Sequence, residues 1–153
     1  MSLLGGTVTA AHIVQTVPVL EPMTRAESLD RLRGHHFGRL AVVVGDQPTI
    51  FPVNYALDGD TITVRTDLGS GIDASVLKRV AFEVDQVDAE SREGWSVVVQ
   101  GVARDVSDAI DGFSERTRAL SLLPWAPGLK PKWIKIVDPT VNGRRLTQRP
   151  TAC

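Results

Sequence analysis

The sequence predicts a mainly β protein with short α-helices, in which six or seven mostly antiparallel strands curl into a closed or nearly closed barrel. Three observations carry this reading. Short β-prone runs are separated by turn signals such as Gly45-Asp46 and Asp58-Gly59-Asp60. The run from Arg79 to Val87 alternates, with Val80, Phe82 and Val84 on one side and Ala81, Glu83 and Asp85 on the other. Leu40 to Val44 is apolar on both parities, which reads as a strand covered on both faces. In a chain of 153 residues, such double coverage is met most simply by a barrel.

The elements follow in order. Residues 1–23 read as an arm, with Val14, Val17, Val19 and Leu20 free to pack on a neighbour. Thr24-Arg25-Ala26-Glu27 matches a capping box: the threonine oxygen accepts from a first-turn amide and the glutamate reaches back. A short helix follows, with Leu29 and Leu32 on one face and Gly34 as its stop. Strands are expected at Gly38 to Val44, Thr49 to Leu57 and Thr61 to Thr66, with Gly59 supplying positive φ to the turn between the last two. A helix from about Asp73 to Lys78 precedes the alternating strand. Gly94 to Val106 is a longer strand with Gly101 as a bulge or bend. Ser107 is read as the cap of a helix to Leu120 that turns Ile110, Phe113 and Leu120 inward. Pro124 to Gly128 forms an ordered loop. Trp133 to Val137 and Val141 to Leu146 close the chain as a last pair of strands, and Asn142-Gly143 carries a hairpin-turn signature.

Composition bounds the function. The 42% apolar fraction supports one domain, residues 1–153, with a real core. The 17 basic and 18 acidic side chains leave a net charge of −1. That balance gives no electrostatic footprint for nucleic acid or a membrane surface, so an anionic ligand must be met by local charge. No run approaches the roughly 20 apolar residues of a membrane helix. The N-terminus lacks a signal-peptide pattern, so a cytoplasmic location is expected. The single cysteine, Cys153, ends the chain and reads as a tail thiol.

The stretch Pro48 to Thr66 holds the best ligand signal. Pro52 cannot donate a ladder hydrogen bond and suits an edge or a bulge, where a ligand can lie. Arg65 and Thr66 end the following strand, and Gly69-Ser70-Gly71 comes next. An arginine, hydroxyls and a helix start are the donors a phosphate needs; the same spacing also fits a surface arginine beside a loop. Trp95 and Ser96 could meet a flat ligand or a dimer interface, and Trp95 equally could be core. His35 and His36 point apart on a strand and lack metal-site partners, which argues against a metal. No Walker loop, Rossmann fingerprint or Gly-x-Ser-x-Gly elbow occurs.

Gly38-Arg39-Leu40-Ala41, Phe51-Pro52-Val53-Asn54-Tyr55, Val64-Arg65-Thr66 with Gly69-Ser70, Ala81-Phe82-Glu83-Val84-Asp85 and Gly94-Trp95-Ser96 to Gly101 occur in one order. That ordered set, spanning residues 25–147, resembles the pyridoxamine 5′-phosphate oxidase-like proteins, in the branch that includes nitroimidazole-resistance-type flavoproteins. The resemblance implies a split β-barrel, a homodimer, and FMN at the dimer interface. It places Pro52, Val53 and Asn54 along the flavin ring, Arg65, Thr66 and Ser70 at the phosphate, and Trp95 and Ser96 against the ring from the partner chain. It further implies a flavin-dependent oxidoreductase acting on a small-molecule substrate. The alternative is a non-catalytic dimer that binds flavin, deazaflavin or haem. One position departs: Gly71 stands where family members commonly carry a lysine. A charge-assisted contact is worth about 1.5–3 kcal/mol, or about tenfold to a hundredfold in affinity, and its loss opens deazaflavin as an alternative cofactor. Lys78 and Arg79 are the candidates to replace the charge.

Overall fold

The structure, a computed structural model, describes residues 14–151. Over these residues the elements are β1 (Thr16–Met23), α1 (Arg25–Arg33), β2 (Phe37–Val44), β3 (Gln47–Asp58), β4 (Thr61–Thr66), β5 (Arg79–Asp88), β6 (Glu93–Asp105), α2 (Gly112–Arg118) and β7 (Lys132–Pro150). The strands form one antiparallel sheet in the order β1-β7-β4-β3-β2-β5-β6, and a further β7–β6 pairing closes it into a barrel. Leu40, Val42, Tyr55, Val64, Phe82, Val97 and Ile136 fill the interior. Tyr55 and Phe82 meet edge to face there, with ring centroids 4.9 Å apart.

Local chemistry accounts for most boundaries. The capping box is present: Glu27 N–H donates to Thr24 Oγ1 and Thr24 N–H to Glu27 Oε2. The helix then buries Leu29 and Leu32, and the Tyr55 hydroxyl donates to Leu32 O at 2.6 Å, tying α1 to β3. Gly59 takes φ +62° in the β3–β4 turn. The β6–β7 register shifts between Gln100 and Val102, as a bulge requires. A Cβ on Gly101 would stand 2.5 Å from Val137 O and 2.7 Å from Ile136 Cγ2, so only glycine lets the strands close over the shift.

Five expectations are corrected. Thr16–Met23, read as part of an arm, is a strand paired along its length with β7; residues 1–13 and Cys153 lie outside the described residues. Val43 is exposed, so β2 is covered on one face within the chain and its second apolar parity forms an outer surface. The helix after Ser70 is a single 3₁₀ turn, Asp73–Ser75, because Leu77 N–H and Ala103 N–H form a reciprocal pair with Ala103 O and Lys78 O that draws the chain into sheet pairing. Ser107 caps no helix: its hydroxyl donates to Asp105 and accepts from Trp133 N–H, while Asp111 caps α2 through Ser114 N–H. Ile110 and Phe113 consequently stay exposed.

The last correction is the largest. The expected final strand pair is one 19-residue strand. Asp138 takes φ +49° within it and absorbs the extra residue of the bulge, so the chain bends between the two expected strands without ending. Asn142-Gly143 makes no turn. Gly143 sits in the ladder opposite Val97 and Met23, and a Cβ there would collide with Ser28 Oγ and Met23 Cε, so its small size seats α1 on β7.

One buried charge pins α2 to the barrel. Lys135 is fully buried on β7; its Nζ donates to Asp58 Oδ2 at 2.8 Å and Thr117 Oγ1 at 3.0 Å and lies 3.4 Å from the centre of the Phe113 ring. Asp58 keeps 22% of its side chain exposed. The two ends of the pair therefore differ in what they lose on separation. Asp58→Ala strands a buried ammonium and is expected to cost about 3 kcal/mol; Lys135→Met leaves a carboxylate that water can reach and is expected to cost less, with urea midpoints as the measure.

Burial alone would raise the Asp58 carboxyl, but the bonds from Lys135 and Thr117 outweigh it and hold it below the usual range. The same balance holds Asp105 down, through Lys132 and Ser107. Both folded values lie below the unfolded value of about 3.9. Their stabilisation is therefore complete above that pH and is lost as the pH falls through the folded values. Urea midpoints measured from pH 6 to pH 2 are expected to hold level above about pH 4 and then drop, less steeply in Asp105→Asn.

Candidate functional site

The site grows out of unequal strand lengths. β2 pairs with the whole stretch from Gln47 to Asn54 of β3, whereas β4 pairs only with Tyr55 to Asp58. The first eight residues of β3, Gln47 to Asn54, therefore have an open edge. Tyr55 N–H donates to His36 O, so by alternation Val53 and Phe51 also turn their backbone groups to β2, while Pro52 and Asn54 turn theirs outward. Proline at 52 thus removes no ladder bond, as an edge position allows. The open edge offers the Asn54 N–H and the Pro52 carbonyl.

A cavity of about 310 Å³ lies here, lined by Phe37, Phe51, Pro52, Val53, Asn54, Arg65, Thr66, Asp67, Ser70, Ile72, Pro124, Trp125, Ala126 and Lys130. Six of the residues singled out from sequence, Pro52, Val53, Asn54, Arg65, Thr66 and Ser70, share it. Its wall is apolar at one end and polar at the other. The Thr66 and Ser70 hydroxyls lie 2.7 Å apart, and Ser70 Oγ accepts Asp73 N–H. Whichever hydroxyl donates to the other, one proton of the pair stays available to a ligand.

The segment 122–130 straps this cavity, and sequence reading assigned it no role beyond order. Arg65 holds it: Nε donates to Lys130 O at 3.1 Å, Nη1 to Leu122 O at 3.1 Å and Nη2 to Leu129 O at 3.2 Å. The guanidinium also lies 4.9 Å from the centre of Trp133, its cross-strand neighbour. Asn54 holds the strap's middle, accepting Trp125 N–H at 2.8 Å while its own amide donates to His36 O. The Trp125 ring stacks on Phe37 with an 8° interplanar angle, at the rim of the cavity. Lys130 closes the end, its Nζ 2.6 Å from Asp67 Oδ2 and 2.8 Å from Pro127 O. That ammonium holds the Asp67 carboxyl below the usual carboxylate range. A lysine in an irregular segment has no spacing pattern, which is why sequence reading missed it.

Trp95 and Ser96 lie elsewhere. Trp95 is buried on β6, with Arg31 stacked at 5.4 Å and His35 edge-on at 4.9 Å, and both residues line a second cavity of about 290 Å³ with Leu20 and Arg144. Gly71 has no room for a side chain: a Cβ would stand 2.6 Å from Phe51 Cζ. Arg79 lines a different cavity, beside Ala41 and Val43 on the outer face of the barrel. Among the described residues no cluster of His, Cys, Asp and Glu could hold a metal ion, and no helix is long and apolar enough to cross a membrane.

Comparison with known proteins places this geometry. The family described as Pyridoxamine 5′-phosphate oxidase matches residues 24–145. The FAD binding protein of Mycobacterium smegmatis is similar in structure, with a TM-score of 0.70 and 32% identity over 82% of this chain and 98% of that one. The conserved protein of unknown function DIP1874 of Corynebacterium diphtheriae follows at 0.63 and 36% identity, over 82% and 96%. The uncharacterized protein Rv0080 of Mycobacterium tuberculosis is 34% identical over 56% of this chain, and the match spans 60% of that protein's length. With its split barrel and a family match across most of its length, the chain belongs to the pyridoxamine 5′-phosphate oxidase family.

Proposed function

We propose that the protein binds a flavin nucleotide in the strapped cavity and works as a flavin-dependent oxidoreductase on a small-molecule substrate. One observation carries the reading: Pro52, Val53, Asn54, Arg65, Thr66 and Ser70 line one cavity together with the apolar Phe37, Phe51 and Trp125 and the cation Lys130. The residues fit the group. Phe51, Pro52 and Val53 offer an apolar surface to a ring system, and the open β3 edge offers a donor and an acceptor for its polar rim. Arg65, Thr66 and Ser70 stand at the end suited to phosphate. FMN is the cofactor favoured by the resemblance, with deazaflavin as the alternative. The 32% identical FAD-binding neighbour supports a flavin and brings FAD into the comparison.

When bound, a flavin accepts and passes on hydride at its ring nitrogen. The chain's part is to hold the ring, exclude water along Phe37, Phe51 and Trp125, and fix the phosphate end. Among the described residues the apolar part of the lining carries no titratable side chain, so no general acid or base is assigned. The cavity is also small for the task, at the bottom of the roughly 300–1,000 Å³ range of ligand sites. That size favours a site completed by a second copy. The exposed Val43 and Ile50 on the outer face support the docking of a second copy. The absence of an acid or base equally suits the second reading, a dimer that carries flavin without turning it over.

Purified protein is expected to show flavin absorbance, or to quench flavin fluorescence at micromolar concentration, and the bound flavin to be reduced by NAD(P)H. Failure to bind FMN, FAD or deazaflavin at that level removes the flavin reading; binding without reduction or turnover favours the carrier. Arg65→Ala is expected to weaken FMN by about tenfold or more. Because Arg65 also holds the strap, riboflavin affinity is expected to fall with it.

A further inference from the structure

We infer that Lys130, on the strap, is the cation that recognises the phosphate of the bound flavin, held in reserve by Asp67. The inference rests on the flavin reading above. It begins from the charges that line the cavity, the cations Arg65 and Lys130 and one carboxylate, Asp67, which is paired with Lys130.

Arg65 is largely committed. Three of its five N–H groups already serve strap carbonyls, and its face lies on Trp133. Position 71 is closed to any side chain by the Phe51 ring, so no lysine can enter there without displacing the cavity wall. Arg79 lines another cavity, and Lys78 is exposed and does not line this one. Lys130 remains. Its side chain is 14% exposed, so the ammonium is held near the wall and not spread into solvent. Two of its three N–H bonds go to Asp67 and Pro127, and among the described residues no third partner lies in range. Asp67, in contrast, is half exposed and can be rehydrated when the ammonium turns to a ligand. A phosphate dianion is a stronger partner for the ammonium than a single hydrated carboxylate, so exchange from Asp67 to phosphate is downhill. The lysine backbone sits at φ +47°, which fixes where the side chain leaves the strap.

The test compares FMN with riboflavin, which lacks the phosphate, by fluorescence titration on the full chain. Wild type is expected to bind FMN more tightly than riboflavin. Lys130→Met is expected to lose about tenfold to a hundredfold in FMN affinity and to keep its riboflavin affinity, which also reports an intact fold and strap. Lys130→Arg is expected to recover most of the loss. Asp67→Asn, which frees the ammonium, is expected to tighten FMN. If Lys130→Met binds FMN as wild type does, or loses riboflavin in equal measure, the inference fails while the flavin reading stands. Weaker FMN binding by Asp67→Asn also overturns it. If wild type binds neither flavin, both the reading and the inference fall.

Discussion

The continuity of β7 is the constraint on which the rest depends. Residues 132–135 pair with β4, residues 134–146 with β6, and residues 143–150 with β1. One strand therefore closes the barrel at its start and leaves it at its end. After Lys135 the side of β7 that faced β4 is free, and β1 takes it from Gly143 onward. Such a strand cannot stay straight. The bulge at Gly101 and the left-handed Asp138 supply the bend, and Gly143 lets α1 settle on the bent part.

The cavity is a consequence of that closure. β4 has six residues and β3 has twelve. Because β7 holds β4 only over its last four residues, nothing extends β4 to cover the rest of β3. The gap leaves backbone groups at Pro52 and Asn54 without a strand partner. Pro52 is exposed, so water can meet its carbonyl, whereas Asn54 is buried and its outward N–H calls for a partner. The strap takes the Asn54 side chain and leaves the strand edge itself open.

Much of this was legible in the sequence because the signals were local. The capping box at Thr24, the turn at Gly59, the bulge at Gly101 and the alternation of β5 each lie within a few residues, and each stands where read. The motif order named six residues that the fold brings to one cavity. Two of the failures share a cause. Asn142-Gly143 is a turn signal in isolation, yet Gly143 is paired on both sides of β7, with Val97 and with Met23, and the signal is overridden. Val43 reads as covered because its apolar character serves an outer face. Ser107 looks like a cap, but its hydroxyl is claimed by Asp105 and by Trp133 from a distant strand. For Gly143 and Ser107 a long-range partner decided what a short window could not contain.

The strap was illegible for the opposite reason: it has almost no regular structure to announce. Its shape is imposed by one arginine that donates to three of its carbonyls. This arrangement separates two jobs that one side chain could not perform together. A guanidinium that spends its donors on protein carbonyls is a rigid anchor, but it is a poor sole receptor for an anion, because its fixed fork cannot turn without releasing the loop. An ammonium on a flexible stem can change partners at little geometric cost. Arg65 therefore suits the wall, and the mobile charge belongs on the element that the wall holds in place. A chain with net charge of −1 has no overall field to draw in an anion. If a phosphate is bound here as proposed, its charge must be met locally, by groups such as Lys130 at the polar end of the cavity.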